Sequence, residues 1–271
     1  MMRKLLFISF FFLINIPFVF GSNIQKSSKK TKMTVNSGLD IMSRYIWRGM
    51  EFGGSSPSVQ PSMGFNYNNL EVNVWGAFST GGINPFQEVD LSVGLNMVNR
   101  LFTIKLTDYF FPIEWHKENY FDYSKKSTRH ILEGSVTFNG TEKIPFSLLV
   151  ATNFYGADAG RINSNPVSPD FNKKEGIQYS TYIEGSYAFD YSDYNINFFV
   201  GINATAPKKA NKYTGYIGET GFYGNSIGVI NIGLSVNKSI RLTKQFSIPL
   251  STQLIFNPQK GRVYFVAGIS F

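Results

Sequence analysis

The sequence predicts an all-β fold, a transmembrane up-and-down antiparallel β-barrel of about twelve strands. From residue 35 onward, runs of roughly ten residues alternate apolar and polar side chains, and no helical period of useful length is present. Short and long connections alternate between these runs. Aromatic residues make up 16% of the chain, yet the mean hydropathy is only −0.10. This combination is typical of strands that face lipid on one side and a polar lumen on the other.

Clusters of Gly, Asn, Asp and Pro separate the alternating runs and set the predicted strand limits. An even strand number suits a bacterial outer-membrane barrel. The predicted strands are 36–48, 58–68, 69–80, 86–98, 100–111, 129–139, 144–156, 176–189, 194–205, 226–239, 246–257 and 262–271.

The lengths of the connections predict which end of the barrel faces the periplasm. Outer-membrane barrels have short periplasmic turns and longer outer loops, so both chain ends are expected on the periplasmic side. A β-sandwich with Greek-key crossovers has no reason to keep this rhythm. The predicted short turns are Asn68-Asn69, Val98–Arg100, Asn139–Lys143, Asp190–Asp193 and Leu242–Gln245. The predicted outer links are 50–57, 79–85, 112–127, 156–175, 206–225 and the short 258–261.

The polar strand faces predict a network of charges in the lumen. In EVDLSVGLNM, Val89 and Leu91 share one face, while Glu88 and Asp90 share the other. Such a network is either a constriction that selects small solutes or a set of salt bridges that fills a narrow, non-conducting lumen. The predicted network comprises Arg44, Arg48, Glu71, Glu88, Asp90, Lys105, Glu133 and Glu184, with Asp40 beside it.

The stretch SRYIWRG, from Ser43 to Gly49, places two arginines opposite two aromatic residues. Read as the end of the first strand, it predicts that Tyr45 and Trp47 face lipid near the outer interface, where amphipathic rings are favoured. Arg44 and Arg48 are then expected to point into the lumen toward Glu88 and Asp90, because unpaired buried charges are costly. Gly49 would begin the first outer loop.

The two ends of the chain predict export and insertion. Arg3 and Lys4 precede the apolar run LLFISFFFLINIPFVF, which predicts a cleaved signal peptide over residues 1–21. A basic flexible tail over 22–34 and a barrel over 35–271 complete the expected domain organisation. In the final run RVYFVAGISF, Phe265, Ile269 and Phe271 share one face. This pattern is typical of the signal that the barrel assembly machinery recognises.

The N-terminal quarter of the barrel resembles an uncharacterised family of Gram-negative outer-membrane proteins. The resemblance rests on Ser43, Arg44, Tyr45, Arg48 and Gly49 of the first strand, then on Pro57 and Gln60, and then on Trp75-Gly76. It implies an outer-membrane barrel, and it implies no reaction or catalytic residue. We expect the barrel to be a monomer.

The composition argues against several kinds of chemistry. The chain has no cysteine and two histidines, His116 and His130, so we predict no metal site and no cofactor. The net charge is +8, but nucleic acid is not expected as the partner of an exported chain. We predict no enzymatic activity. A lipid-acting hydrolase that pairs His130 with Ser127 or Ser135 stays open as an alternative, although no nucleophile motif supports it.

The expected partners are outer-membrane lipid and lipopolysaccharide, the barrel assembly machinery during insertion, and small solutes if the lumen conducts. Lys208, Lys209 and Lys212 lie in a predicted outer loop, where they would attract anionic lipid phosphates.

Overall fold

The computed structural model describes residues 33–81, 85–113, 119–125 and 127–271. The predicted signal peptide, most of the predicted basic tail, and His116 lie outside the described residues. The last two residues of that predicted tail, Met33 and Thr34, already belong to the first strand. No described residue lies in a helix long and apolar enough to cross a membrane.

The described residues form sixteen β-strands and no helix. Their bounds are Met33–Met42 (β1), Tyr45–Trp47 (β2), Met50–Phe52 (β3), Ser58–Tyr67 (β4), Leu70–Ser79 (β5), Gln87–Met97 (β6), Phe102–Phe110 (β7), His130–Phe138 (β8), Phe146–Gly156 (β9), Gly160–Ile162 (β10), Lys174–Ile177 (β11), Thr181–Tyr191 (β12), Tyr194–Asn203 (β13), Gly228–Arg241 (β14), Ser247–Asn257 (β15) and Arg262–Ser270 (β16).

Twelve of these strands close into one antiparallel barrel, which confirms the predicted fold class. The order around the barrel is β1-β16-β15-β14-β13-β12-β9-β8-β7-β6-β5-β4. The pairs β2–β3 and β10–β11 are separate two-stranded sheets in connections between barrel strands. Two predicted strands differ more strongly from the structure: 36–48 instead runs from Met33 to Met42, and 176–189 begins only at Thr181. The other ten agree to within two residues at each end.

Five short turns lie at one end of the barrel, and the long connections lie at the other end together with the short turn 258–261. The two-residue turn Asn68-Asn69 joins β4 to β5, and the positive φ of 54° at Asn68 suits an asparagine. At the opposite end, the loops 157–180 and 204–227 are tied together by the Arg161–Glu219 ion pair at 2.8 Å. Burial alone would raise the pKa of the Glu219 carboxyl, but the Lys208 and Ile162 amides and the Arg161 guanidinium hold it below its usual range.

The outer face of the barrel wall is apolar on every strand. Leu106 is 57% exposed and Leu254 is 52% exposed, although both lie in the middle of regular strands. One exposed apolar or aromatic residue from each barrel strand gives Val35, Met63, Val74, Leu95, Leu106, Val136, Val150, Tyr187, Phe198, Ile232, Leu254 and Phe265. The inner face carries buried polar side chains, among them Gln60, Ser92, Thr107, Ser135, Asn197 and Ser235. This is the alternation that the sequence predicted.

The seam between the first and last strands is the shortest pairing in the barrel. β1 pairs with β4 along Met33–Met42 but with β16 only over Asp40–Met42, opposite Gly268–Ser270. The chain then bends at Ser43 and Arg44 and leaves the wall. On the outer face of β16 and just beyond it, the predicted assembly-signal residues Phe265 and Phe271 are exposed, and Ile269 is half-buried.

Candidate functional site in the barrel lumen

A β-hairpin that precedes β4 folds into the lumen. β2 and β3 pair through Tyr45↔Phe52 and Trp47↔Met50, and the two residues between them form the turn. Arg48 and Gly49 have φ values of 51° and 75°, as a type I′ turn requires. Glycine adopts this conformation readily, whereas an arginine there must be held by its contacts. We call residues 45–52 the plug hairpin.

Both faces of the plug hairpin are buried. Tyr45, Ile46 and Trp47 are 2%, 6% and 4% exposed. The first face packs into an aromatic cluster, with ring centroids 5.4 Å apart both for Tyr45 with Trp75 and for Trp47 with Tyr109. The second face places Ile46 against inward side chains of the opposite wall, namely Phe199, Ile255, Tyr264 and Val266. The hairpin therefore lies across the lumen between two sides of the barrel.

This placement corrects one prediction. Tyr45 and Trp47 do not face lipid; they belong to the interior aromatic cluster together with Phe52, Trp75, Phe86, Tyr109, Phe111, Phe222 and Tyr223. The alternation of SRYIWRG is real. However, the chain leaves the wall after Met42, so the apolar face of this stretch meets other rings instead of hydrocarbon.

Arg48, at the tip of the plug hairpin, forms a buried ion pair with Glu133 of β8. Its two terminal nitrogens donate to the two carboxylate oxygens at 2.5 and 2.9 Å, and one of them also donates to the Tyr223 hydroxyl at 2.5 Å. The guanidinium carbon lies 4.4 Å from the ring centroid of Trp47 and 4.8 Å from that of Tyr182. A bidentate, ring-stacked arginine of this kind is both strongly bound and geometrically specific.

The expected partners of the two arginines are therefore wrong. Arg48 binds Glu133, and Arg44 binds Glu51 of the plug hairpin at 3.0 Å in a half-buried pair. Glu88 and Asp90 lie instead against each other and beside the Tyr45 hydroxyl. In each of these two carboxyl groups, one buried oxygen has no hydrogen-bond partner among the described residues.

The remaining predicted lumen charges divide into separate groups on the wall. Lys105 is buried near Glu71 and Glu133. The side-chain amide of Asn231 donates to the Glu184 carboxylate at 3.0 Å and to the Tyr182 hydroxyl at 2.9 Å. The Tyr182 hydroxyl in turn donates to Glu184. Near the short turns, Asn96 donates to Glu71, and at the seam Asp40 hydrogen-bonds Ser270.

Each ring nitrogen of His130 has a hydrogen-bond partner, so neither is available to a serine hydroxyl. Its Nδ1 lies 2.7 Å from an Asp108 oxygen, and its Nε2 lies 2.6 Å from the Tyr120 carbonyl oxygen. Its ring stacks on Tyr123 at 4.1 Å and on Phe110 at 4.6 Å. The structure thus does not bring His130 together with Ser127 or Ser135 as a nucleophile pair. Among the described residues, no group of three or more His, Cys, Asp or Glu side chains could hold a metal ion.

The sequence interpretation missed the tyrosines around Arg48. Tyr109 and Tyr182 lie on the polar faces of β7 and β12, so alternation alone places them in the lumen. Tyr223 lies in the loop 204–227 and is 1% exposed, and no pattern in the sequence signals that this loop reaches the plug hairpin.

No known family model matches the chain, and no curated protein is detectably similar to it in sequence. The resemblance to the outer-membrane family therefore stays a prediction.

Proposed function

We propose that the protein is an integral β-barrel of a Gram-negative outer membrane, and that the seated plug hairpin keeps its lumen from conducting. The apolar outer face, which runs around all twelve strands, supports the proposed membrane location. The plug hairpin, which is buried on both faces, supports the proposal that the lumen is closed.

The outer face is too extensive for a monomer in water. Soluble monomers rarely expose contiguous apolar patches of more than a few hundred Å², whereas here every barrel strand contributes to one belt. Strands such as Gln87–Met97 and Phe146–Gly156 have the length that a tilted strand needs to cross a bilayer. Exposed rings near the short turns, including Tyr67, Tyr191 and Tyr194, suit an interfacial aromatic girdle.

The filled lumen favours a barrel that does not conduct in this conformation. The plug hairpin, Phe222 and Tyr223 occupy the interior where the wall contributes Trp75, Tyr109 and Tyr182. In this proposal, lipid and lipopolysaccharide are the direct neighbours of the belt and rim. The protein then acts as a structural or surface-interaction barrel, which the assembly machinery inserts as a monomer.

A narrow channel for small solutes is the second candidate, and one observation favours it. Several buried polar atoms of the inner wall have no hydrogen-bond partner among the described residues, including both side-chain amide atoms of Asn197 and one oxygen of Asn231. Buried polar groups of this kind usually bind water. A hydrated inner wall would carry solutes if the plug hairpin moved.

Two measurements test these proposals. Cell fractionation should recover the chain in the outer membrane as a band whose gel mobility changes on heating, and recovery in a soluble fraction would overturn the location. Refolded protein in a planar bilayer should show no steady conductance. Defined, reproducible single-channel steps from the unmodified protein would overturn the closure and favour the channel.

A further inference from the structure

We propose that Glu133 and the tyrosines around it form a binding site for small guanidinium-type cations, which Arg48 occupies as an internal ligand. We call Tyr109, Glu133, Tyr182 and Tyr223 the guanidinium cage. The inference rests on the proposed barrel only in that a solute would reach the cage through the lumen.

The cage does not belong to the plug hairpin. Tyr109, Glu133 and Tyr182 lie on the wall strands β7, β8 and β12, and Tyr223 lies in the loop 204–227. The plug hairpin supplies the guanidinium itself and the Trp47 ring. The anionic and aromatic parts of the site therefore remain when the hairpin leaves.

The geometry of the cage suits a planar cation with a fork of N–H donors. Both oxygens of Glu133 accept from Arg48, and the Tyr109 hydroxyl donates to one of them at 3.0 Å, which fixes the carboxylate. The ring of Tyr182 lies 4.8 Å from the guanidinium carbon, and that of Tyr223 lies 5.7 Å away. A compact ammonium ion cannot make the two parallel hydrogen bonds that this carboxylate offers.

The lumen around the cage supplies further carboxyl groups. Glu88 lies close enough to Arg48 for their charges to interact, and Asp90 lies close to Glu133. One buried oxygen of Glu88 and one of Asp90 have no hydrogen-bond partner among the described residues, so the plug hairpin does not use them. The predicted lumen charges on the barrel strands are the carboxylates Asp40, Glu71, Glu88, Asp90, Glu133 and Glu184, against the cation Lys105. Carboxyl groups thus outnumber basic groups on this wall, and their oxygens are possible acceptors for the N–H groups of a cation near the cage.

Arg48 fills the cage only with strain in its own backbone. Arg48 adopts a φ of 51°, a left-handed conformation that is strained for a non-glycine residue. A free solute carries no such strain. Removal of Arg48 would leave Glu133 buried without a cation, which is strongly unfavourable. The vacated cage should therefore take up a cation of matching shape.

Chemical rescue of Arg48→Gly tests the site. Glycine suits the φ of the turn, so the variant removes the guanidinium and leaves the hairpin backbone unstrained. In detergent micelles we expect a lower Tm than for the unmodified protein. Millimolar methylguanidinium should raise this Tm in proportion to the logarithm of its concentration. Urea, which has the shape without the charge, and tetramethylammonium, which has the charge without the N–H groups, should not.

Two matched variants make the test specific. Arg44→Gly removes the arginine that immediately precedes the plug hairpin, whose pair with Glu51 is partly exposed, so the Tm of this variant should not respond to methylguanidinium. The double variant Arg48→Gly/Glu133→Gln should bind methylguanidinium about tenfold more weakly, because the charged acceptor is gone. If Arg48→Gly does not fold in plain buffer, its refolding yield with each additive gives the same comparison.

The proposal is overturned if urea or tetramethylammonium rescues as well as methylguanidinium, if the Glu133→Gln double variant responds equally, or if nothing rescues. None of these results depends on where the protein resides in the cell or on whether it conducts. Failure of the cage is therefore distinguishable from failure of the proposed barrel function.

Discussion

The plug hairpin and the wall strand β6 share one sequence pattern and have different surroundings. In β6, Ser92 is 8% exposed toward the lumen, and its neighbour Val93 is 44% exposed on the outer face. In β2, the neighbours Tyr45 and Ile46 also lie on opposite faces, yet both are buried. Alternation determines which residues share a face. What that face meets depends on whether the strand lies in the wall or between two walls.

The largest expected effect comes from the ion pair that joins plug and wall. Glu133→Ala leaves the Arg48 guanidinium buried without a partner, so we expect a loss of about 3–5 kcal/mol in the free energy of unfolding. Urea titration of the refolded protein measures it. The control is Glu142→Ala, in the exposed turn between β8 and β9. Equal losses for the two variants would show that plug and wall are not coupled through this pair.

The second effect tests what the outer face of the wall contacts. Leu106→Arg places a charge in the middle of the apolar belt, and in a bilayer this should cost about 2–4 kcal/mol. Val167→Arg, in the exposed loop between β10 and β11, should cost almost nothing. The measurement is unfolding from lipid vesicles. A soluble barrel would instead tolerate both changes alike.

The third effect tests how tightly the plug hairpin is seated. A Cβ atom on Gly49 would lie 2.1 Å from the carbonyl oxygen of Ile230, so Gly49→Ala should destabilise by about 1–3 kcal/mol and loosen the hairpin. Gly54→Ala is the matched control, because Gly54 also has a positive φ, of 63°, but no atom lies within 4 Å of its Cβ position. Thermal unfolding of both variants separates steric exclusion from backbone strain. Similar Tm values would mean that the tip of the hairpin is not packed against β14.

The smallest effect concerns the loops outside the barrel. The pKa of Glu219 is depressed, so its stabilisation is present above the ordinary glutamate pKa of 4.5 and is lost as pH falls through the lowered value. Glu219→Gln should therefore be less stable than the unmodified protein at about pH 7, by roughly 0.5–1 kcal/mol for a partly solvated pair. The difference in Tm should shrink as pH falls through the lowered pKa of Glu219. A difference that persisted in acid would mean that the Arg161–Glu219 charge pair does not tie the loops.

The barrel wall was predictable because its signals are local. Period-two alternation and turn residues such as Asn68 identified the strands, and the polar faces identified Glu133, Glu184 and Lys105 as lumen residues. The plug hairpin was not predictable from such signals, since its turn is Arg48-Gly49 instead of the usual Asn-Gly or Asp-Gly.

The errors come from changes of chain direction and from distant contacts. Tyr179 has a φ of 54° at the junction of β11 and β12, and a tyrosine gives no warning of that conformation. The pairing of Arg48 with Glu133 joins residues 85 positions apart, and that with Tyr223 joins residues 175 apart. The sequence contains both partners of each contact, but no local pattern in it predicts that they come together.

The short seam has a consequence for the chain segment that follows β1. The Ser43 amide already donates to the Ala267 carbonyl oxygen at 2.7 Å, and the register of β1 with β16, continued from there, would set Arg48 opposite Arg262. In that arrangement residues 43–48 would extend the pairing along the full length of β16. Tyr45 and Trp47 would then point outward beside Phe265 and Val263. Because the chain turns inward after Arg44 instead, the β1 side of β16 has no paired strand among the described residues from Arg262 to Val266.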